Sequence, residues 1–550
     1  MNFKEKTYIF LLIAIIFLAF FLRFYKLGQN PPSLTWDETA WGYNAYSIGI
    51  DGKDEYGRFL PLDYLESFGD FKPPLYAYLA VLPVKLLGLN EFATRFPSAL
   101  FGVLTVFVTY FLAKRIFFSS NNKIALALSS SFFLAISPWH INLSRAAFEA
   151  NVATFFIVCG VWLFLASIQN KKWFLLLSVT SFILSIYTFN TARVVSPILL
   201  ILLTIVFLKR IWHIKSQLII AIVLGLLLIF PIFRFLLSPQ ASLRFKEVNI
   251  FSDIGIINLT NQEILNDNGS RFSKIIHNRR FAYTAEYLRH YFDHFKPNFL
   301  FITGDGNPKF STQDVGQMYL WELPFFVFGF LYLFKARNGY WWIIPIWLLV
   351  GIIPAATARE TPHALRIEAA LPTFQIIVAI GVFTFIERLR KSQRKMLKTG
   401  LFGVVLILFL INFAYYLHGY YNHYAREYSG EWQYGYKDSI KFAEEVSNNY
   451  DEIQMTTELG RPHMYYLYYL KIDPKIYRKI AVVKRDAFGF VTVERFGKYY
   501  FAKNLKKNGL ENKRVLYINN PINTPQDANI VKTFYLLNGK PVLFAYRLGN

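Results

Sequence analysis

Residues 8–41 read YIFLLIAIIFLAFFLRFYKLGQNPPSLTWDETAW. Tyr8 to Phe24 is apolar apart from Arg23, follows Lys4 and Lys6, and is long enough to cross a hydrocarbon core of roughly 30 Å. About a dozen residues later, Asp37 and Glu38 stand between Trp36 and Trp41, close to where such a helix would surface. The opening run resembles a signal peptide. However, Lys26-Leu27-Gly28-Gln29-Asn30-Pro31-Pro32 has no small-x-small cleavage site and more apolar runs follow, so a retained anchor is expected.

Working outward, comparable runs recur near 97–113, 124–138, 147–168, 173–189, 194–208, 217–237, 318–334, 341–357, 369–387 and 399–417. The expected class is a polytopic α-helical membrane protein with about eleven transmembrane helices. Composition agrees: 54% of the 550 residues are hydrophobic and 19% aromatic, and the mean hydropathy is +0.29. Soluble domains lie nearer 45–50% apolar. The lone cysteine, Cys159, sits inside an apolar run and supports neither a disulfide framework nor a thiolate metal site.

The net charge of +23 would suggest nucleic acid in a soluble domain. Here much of the excess lies in short loops, so no nucleic-acid partner is expected. With the amino terminus inside, cytoplasmic loops hold Lys114, Arg115 and Lys123; Lys171 and Lys172; Lys209, Arg210 and Lys215; Lys335 and Arg337; and Arg388, Arg390, Lys391, Arg394, Lys395 and Lys398. The opposite short loops hold only Arg145, Arg193, Arg359 and Arg366. That asymmetry sets the orientation. Counting Leu75–Leu89 as a span would invert every later loop. It is short and contains Pro83 and Lys85, so it reads as a helix lying at the outer interface.

The expected domains are therefore 1–417, transmembrane, and 418–550, a small C-terminal α/β extracytoplasmic domain. The first includes two long outer loops, 25–96 and 238–317. The tail alternates a polar helix (Lys437 to Asn449), a strand (Ile453 to Thr457), an aromatic helix (His463 to Leu470) and strands near 488–493, 514–518 and 531–537. Nearly all polar mass is outside, so chemistry is expected on the outer face.

Asp51, Asp63 and Glu66 read as charges of a solvated loop. Asp37 and Glu38 differ, because Trp36 and Trp41 prefer headgroup level and a carboxylate near apolar surroundings suits a general base. Lys72 precedes Pro73-Pro74, which fix the backbone there. It either snorkels or holds a lipid phosphate as a point charge. Arg145 and Glu149, four apart, would share a helix face, as an ordinary ion pair or as a functional pair at a span mouth. Arg193 opens a span, and Arg359, Glu360, His363 and Arg366 cluster before another. Such cations can neutralise a phosphate. Asp37, Glu38 and Glu149 offer oxygen ligands to a hard divalent cation. Zinc-type His/Cys spacing, a P-loop and a dinucleotide fingerprint are all missing from the sequence.

TWDETAWGYNAYSI, FGDFKPPLYAYLAVLPVKLLG, NEFATRFPSALFGVLTVFVTYFLAKRIF and SPWHINLSRAAFEAN resemble the GT-C fold membrane glycosyltransferases. The likeness is to the dolichyl-phosphate-mannose protein mannosyltransferase group (glycosyltransferase family 39) and the related aminoarabinose transferases. It covers the first 240 residues, while NFLFITGDGNPKF, GQMYLWELP and RETPHALRIEAALP look like a bacterial branch. The resemblance implies a multi-pass cell-membrane enzyme performing inverting transfer from a polyprenyl-phosphate sugar donor to a hydroxyl on a lipid, protein or glycan acceptor. It also implies catalytic roles for Asp37, Glu38 and Glu149. Lys72, Arg145 and Arg193 would bind the donor phosphate, joined from position alone by His363 and Arg366. The rival readings are a transporter or flippase of lipid-linked sugars, which should carry ionisable groups near the midplane, and a non-catalytic envelope scaffold.

Overall fold

The computed structural model describes every residue except 1–2, 170, 239–240, 242–248, 336–338, 392–394, 486–490, 506–512 and 549–550. Arg337, Arg394, part of the 238–317 loop and the start of the 488–493 strand therefore lie outside the described residues. A helix occupies each stretch expected to span: Phe3–Phe24, Glu91–Ile116, Lys123–Ile136, Glu149–Gln169, Phe174–Ile186, Ala192–Val206, Lys215–Leu236, Leu323–Lys335, Ile343–Ile352, Thr373–Lys391 and Lys395–His418. The protein is a multi-pass helical membrane protein with a carboxy-terminal sheet domain.

The count of crossings is lower when length is demanded. Among the described residues, five helices are long and apolar enough to cross, or six if Lys123–Ile136 and Pro138–Ser144, bent by 57°, form one span. Several others run to only 10–15 residues. Leu75–Leu87 is a helix of 13 residues with Pro83 inside. Its Leu82, Leu86 and Leu87 are exposed.

The chain divides into two compact units. One takes Met1–Arg23, Leu100–Ser144 and Glu149–Leu417; the other takes Phe24–Ala99, Arg145–Phe148 and His418–Asn550. The 25–96 loop thus groups with the tail.

In the first unit, close helix packing relies on small residues, as membrane bundles do. A Cβ added at Gly329 would lie 2.0 Å from the Ile377 carbonyl oxygen, and one at Gly381 would lie 1.9 Å from that of Phe325. Only glycine lets the Leu323–Lys335 and Thr373–Lys391 helices meet this closely. Arg23 is fully buried and donates to the carbonyls of Leu134 (3.3 Å) and Ala135 (3.1 Å). These are unpaired acceptors at the end of the Lys123–Ile136 helix.

In the second unit, β1 (Leu65–Ser67) and β2 (Asp70–Lys72) form a hairpin, with Ser67 opposite Asp70. Phe68 and Gly69 both have positive φ, 61° and 83°, as a tight mirror-image turn requires. The tail contributes β3 (Glu452–Thr456), β4 (Val482–Arg485), β5 (Val491–Phe496), β6 (Tyr499–Ala502), β7 (Val515–Asn519), β8 (Ala528–Tyr535) and β9 (Pro541–Leu548). Their order is β4-β5-β6-β3-β7-β9-β8. β3 runs parallel to β6 and β7, and the other pairs are antiparallel. β3 and β7 are buried along their whole length, as central parallel strands should be.

The first loop and the tail are joined by specific contacts. Arg478 pairs with Asp51 and Arg485 with Glu66. The Tyr465 hydroxyl donates to the Leu34 carbonyl at 3.0 Å, and the Tyr43 hydroxyl to that of Ile472 at 3.0 Å. Asp51 and Glu66, together with Asp63, which pairs with Arg58 at 2.8 Å, are thus ion-paired rather than merely solvated.

Candidate active site

The acidic stretch is organised by its own sequence. Thr35 caps the Trp36–Asp51 helix, accepting from the Glu38 amide at 3.3 Å, while the Glu38 carboxylate accepts from the Thr35 amide at 2.9 Å. This reciprocal T-x-x-E box starts the helix at Trp36 and puts Asp37 in its first turn, where the helix dipole favours negative charge.

The two adjacent acids then part. Asp37 keeps half of its side chain exposed and pairs with the Lys72 ammonium. Lys72 is brought there at the end of the β1-β2 hairpin, with its side chain 10% exposed, its cation 5.3 Å from the Trp41 ring centre and 5.7 Å from that of Phe68. Glu38, by contrast, is fully buried and its oxygens are occupied. Arg95 Nε donates to it at 2.8 Å, and the Ala147 amide donates to the same oxygen at 2.9 Å. Arg95 Nη2 reaches the other Glu38 oxygen at 3.3 Å, and the remaining donors go to the carbonyls of Leu27 (3.2 Å), Pro31 (2.8 Å) and Ser33 (2.5 Å).

Arg145 is also fully buried. Its Nε donates to the Tyr420 hydroxyl at 3.0 Å, and a terminal nitrogen donates to the carbonyls of Tyr25 (2.7 Å) and Asn30 (2.9 Å). Arg145 and Glu149 do not share a helix, because Pro138–Ser144 ends before Arg145 and the next helix starts at Glu149.

Behind these residues, Glu55 is buried with its amide bonded to Asn44 Oδ1 at 3.0 Å. Burial and the neighbouring Asp54 push its carboxyl well above the usual range, against the Lys72 charge.

In the first unit, Arg193 lies over the Phe235 ring, 5.6 Å from its centre. His363 stacks near Phe310 at 4.9 Å between ring centres and stands 4.0 Å from Asp305. Burial, with the Arg366 charge beside it, drives His363 well below its ordinary range. Asp305 accepts the Ala364 amide at 2.6 Å and the Asn307 amide at 2.8 Å. Burial still raises its carboxyl to about 6. Glu368 is fully buried, and burial followed by the Glu149 charge raises it strongly. Among the described residues, no group of three or more His, Cys, Asp or Glu is arranged to hold a metal ion.

Sequence reasoning named Asp37, Glu38, Lys72, Arg145, Glu149, Arg193, His363 and Arg366. It missed Arg95, Tyr420, Asp305 and Glu368. Only the T-x-x-E box carried a readable local signal for the partition of roles between the acids.

Residues 13–246 match the family described as dolichyl-phosphate-mannose-protein mannosyltransferase. A protein of Aquifex aeolicus (strain VF5), itself described as uncharacterized, is 32% identical over 195 residues, which are 35% of this chain and 36% of that protein. The match therefore spans about a third of the relative's length. ArnT from Cupriavidus metallidurans bound to undecaprenyl phosphate superposes with a TM-score of 0.56 at 14% identity, covering 98% of both chains. The Archaeoglobus fulgidus oligosaccharyltransferase in its apo form gives a TM-score of 0.50 at 12% identity, covering 86% of this chain and 64% of that one. The chain thus has a GT-C fold and is similar, over residues 13–246, to the dolichyl-phosphate-mannose-protein mannosyltransferase family.

Proposed function

We propose that the protein is an inverting glycosyltransferase that takes a sugar from a polyprenyl-phosphate carrier and gives it to an acceptor hydroxyl on the outer face of the cell membrane. The observation that carries this reading is the Asp37–Lys72 pair. A half-exposed carboxylate in the first turn of the capped Trp36–Asp51 helix sits on one buried-stemmed ammonium. A displacement at the anomeric carbon needs a base on the acceptor side and a cation for the departing phosphate on the other, and the pair supplies one of each within reach of a single donor. The lipid-bound ArnT structure and the family match add support.

In the reaction, the acceptor oxygen bonds to the anomeric carbon from the face opposite the phosphate. Its proton passes to Asp37. The bond from that carbon to the phosphate oxygen breaks, and its electron pair stays on the departing polyprenyl phosphate. Lys72 turns from Asp37 toward the phosphate as charge develops there, so donor binding frees the base it previously paired. Glu38, with both oxygens committed, holds the motif in place through Arg95. Arg145 likewise braces the Tyr25–Asn30 segment. Glu149, Arg193 and Arg366 keep the roles that the resemblance and their positions suggest, whereas His363, kept uncharged by burial and the Arg366 charge, can serve only as a neutral hydrogen-bonding group. The strong Lys/Arg bias of the alternate loops supports a cytoplasmic amino terminus and an extracytoplasmic tail.

The test is D37N. Donor binding, measured by retention of a polyprenyl-phosphate sugar on purified protein, stays near wild type while transfer falls by about 10²-fold or more. Full transfer by D37N would assign the base elsewhere.

A further inference from the structure

Among the described residues, the connection between Lys215–Leu236 and Leu323–Lys335 carries three α-helices, Ile254–Asn266, Arg271–Ile276 and Arg279–Asp293, and the last two have an unusual distribution of apolar side chains. On the longer helix one face is fully used. His290 Nδ1 contacts the Ala358 carbonyl at 2.8 Å, Asp293 accepts from the Thr361 hydroxyl at 2.8 Å, and the Tyr287 hydroxyl donates to the Ile353 carbonyl at 3.3 Å. Just beyond its end, His294 Nε2 accepts the His363 amide at 3.2 Å. This face holds the 353–363 segment.

The opposite face is bare. Phe281, Ala285, Leu288 and Phe292 recur at helical spacing, with Phe281, Leu288 and Phe292 exposed by 65%, 47% and 62%. A helix facing water presents polar residues there. The neighbouring helix repeats the pattern, with Phe272, Ile275 and Ile276 exposed by 72%, 61% and 49%. Between and beside them, RFSKIIHNRR (271–280) holds Arg271, Lys274, Arg279 and Arg280 and no acid.

We propose that this helical pair lies in the outer leaflet, its apolar stripe at the boundary of headgroups and acyl chains and its four cations on lipid phosphates. The occupant is identified by charge and tether. An apolar stripe flanked by cations that pair with no acid among the described residues fits an anionic lipid surface, and apolar helices that can reach a bilayer stand on either side of it in sequence. Resting on the function proposed above, the consequence is that the lipid surface sets the depth of the His363–Arg366 segment, bringing the Arg366 cation level with a donor phosphate.

The test uses full-length protein with Cys159→Ala and single cysteines at Leu288, Ile275 and, as a polar control, Asn266. Each carries an environment-sensitive fluorophore, in vesicles of phosphatidylglycerol and phosphatidylcholine with shallow spin-labelled lipid. The expected result is strong lipid quenching and little iodide quenching at 288 and 275, with the reverse at 266. Iodide access at 288 equal to that at 266 overturns the proposal. So does protection from both quenchers, which would mean that another protein surface or a second copy covers the stripe. Lipid quenching at 275 should weaken in pure phosphatidylcholine, and indifference to lipid charge would overturn the role of the cations. These readings need no donor, so they stand or fall apart from the transferase assignment. With an active preparation, L288Q/F292Q should raise the donor KM several-fold with kcat little changed; an unchanged KM would refute the depth-setting role.

Discussion

Asp37 and Glu38 are neighbours in the chain with opposite surroundings. Glu38 lies in a fully buried ion pair with Arg95, and such a pair is costly to break from one side. E38Q or R95M leaves the other partner buried and uncompensated, so each should cost about 3–5 kcal/mol, seen as a large fall in Tm of the detergent-solubilised protein. Replacing both (E38L/R95M) should restore a substantial part, and strictly additive losses would show that the pair is not coupled. The sequence singles out the acid pair and Lys72, but not which acid stays exposed and which is locked in a buried pair. Arg95 reads locally as a cation near the mouth of a span, and the carboxylate it binds is 57 positions earlier. Arg145 reads as a surface cation for the same reason, since its acceptors belong to residues 25, 30 and 420.

At the scale of elements, the segment between the Ile343–Ile352 and Thr373–Lys391 helices is held by Asp305. Its carboxyl is raised to about 6 by burial. The folded state therefore favours the protonated form, and this stabilisation, complete below the ordinary carboxylate range, is lost as pH rises through about 6. D305N keeps an acceptor for the Ala364 amide without the charge. Its Tm relative to wild type should thus increase between pH 4 and pH 7, by an amount corresponding to roughly 2 kcal/mol; a difference that does not vary with pH would contradict the burial argument. Helix positions were legible because apolar runs are long and uninterrupted. Strands were less so. β7 is apolar enough to stand out and β3 alternates Ile453 and Met455 with polar residues, whereas β8-β9 needed the Asn538-Gly539 turn signal and β5-β6 the turn at Gly497, whose φ is 55°. The β1-β2 hairpin that delivers Lys72 hides its signal in Phe68-Gly69, where a phenylalanine takes a backbone conformation usually left to glycine.

For the whole molecule, hydropathy and the Lys/Arg bias outlined the membrane region and the tail, but not the union of the first loop with the tail. That union depends on pairs more than 400 residues apart, such as Asp51–Arg478 and Glu66–Arg485, which no local pattern announces. R478Q should weaken it by roughly 1.5–3 kcal/mol, and R485Q, whose side chain is half exposed, by no more than about 1 kcal/mol. Faster limited proteolysis within 418–550 should follow, and unchanged cleavage would mean that the aromatic contacts alone suffice. Whether an acid and a cation meet here to move a sugar off a lipid phosphate is decided by incubating purified protein with polyprenyl-phosphate sugars of known anomeric configuration and an acceptor mixture. Release of free polyprenyl phosphate and a product of inverted configuration are expected, both absent in D37N. A product of retained configuration, or release that persists in D37N, would contradict inverting transfer by this pair.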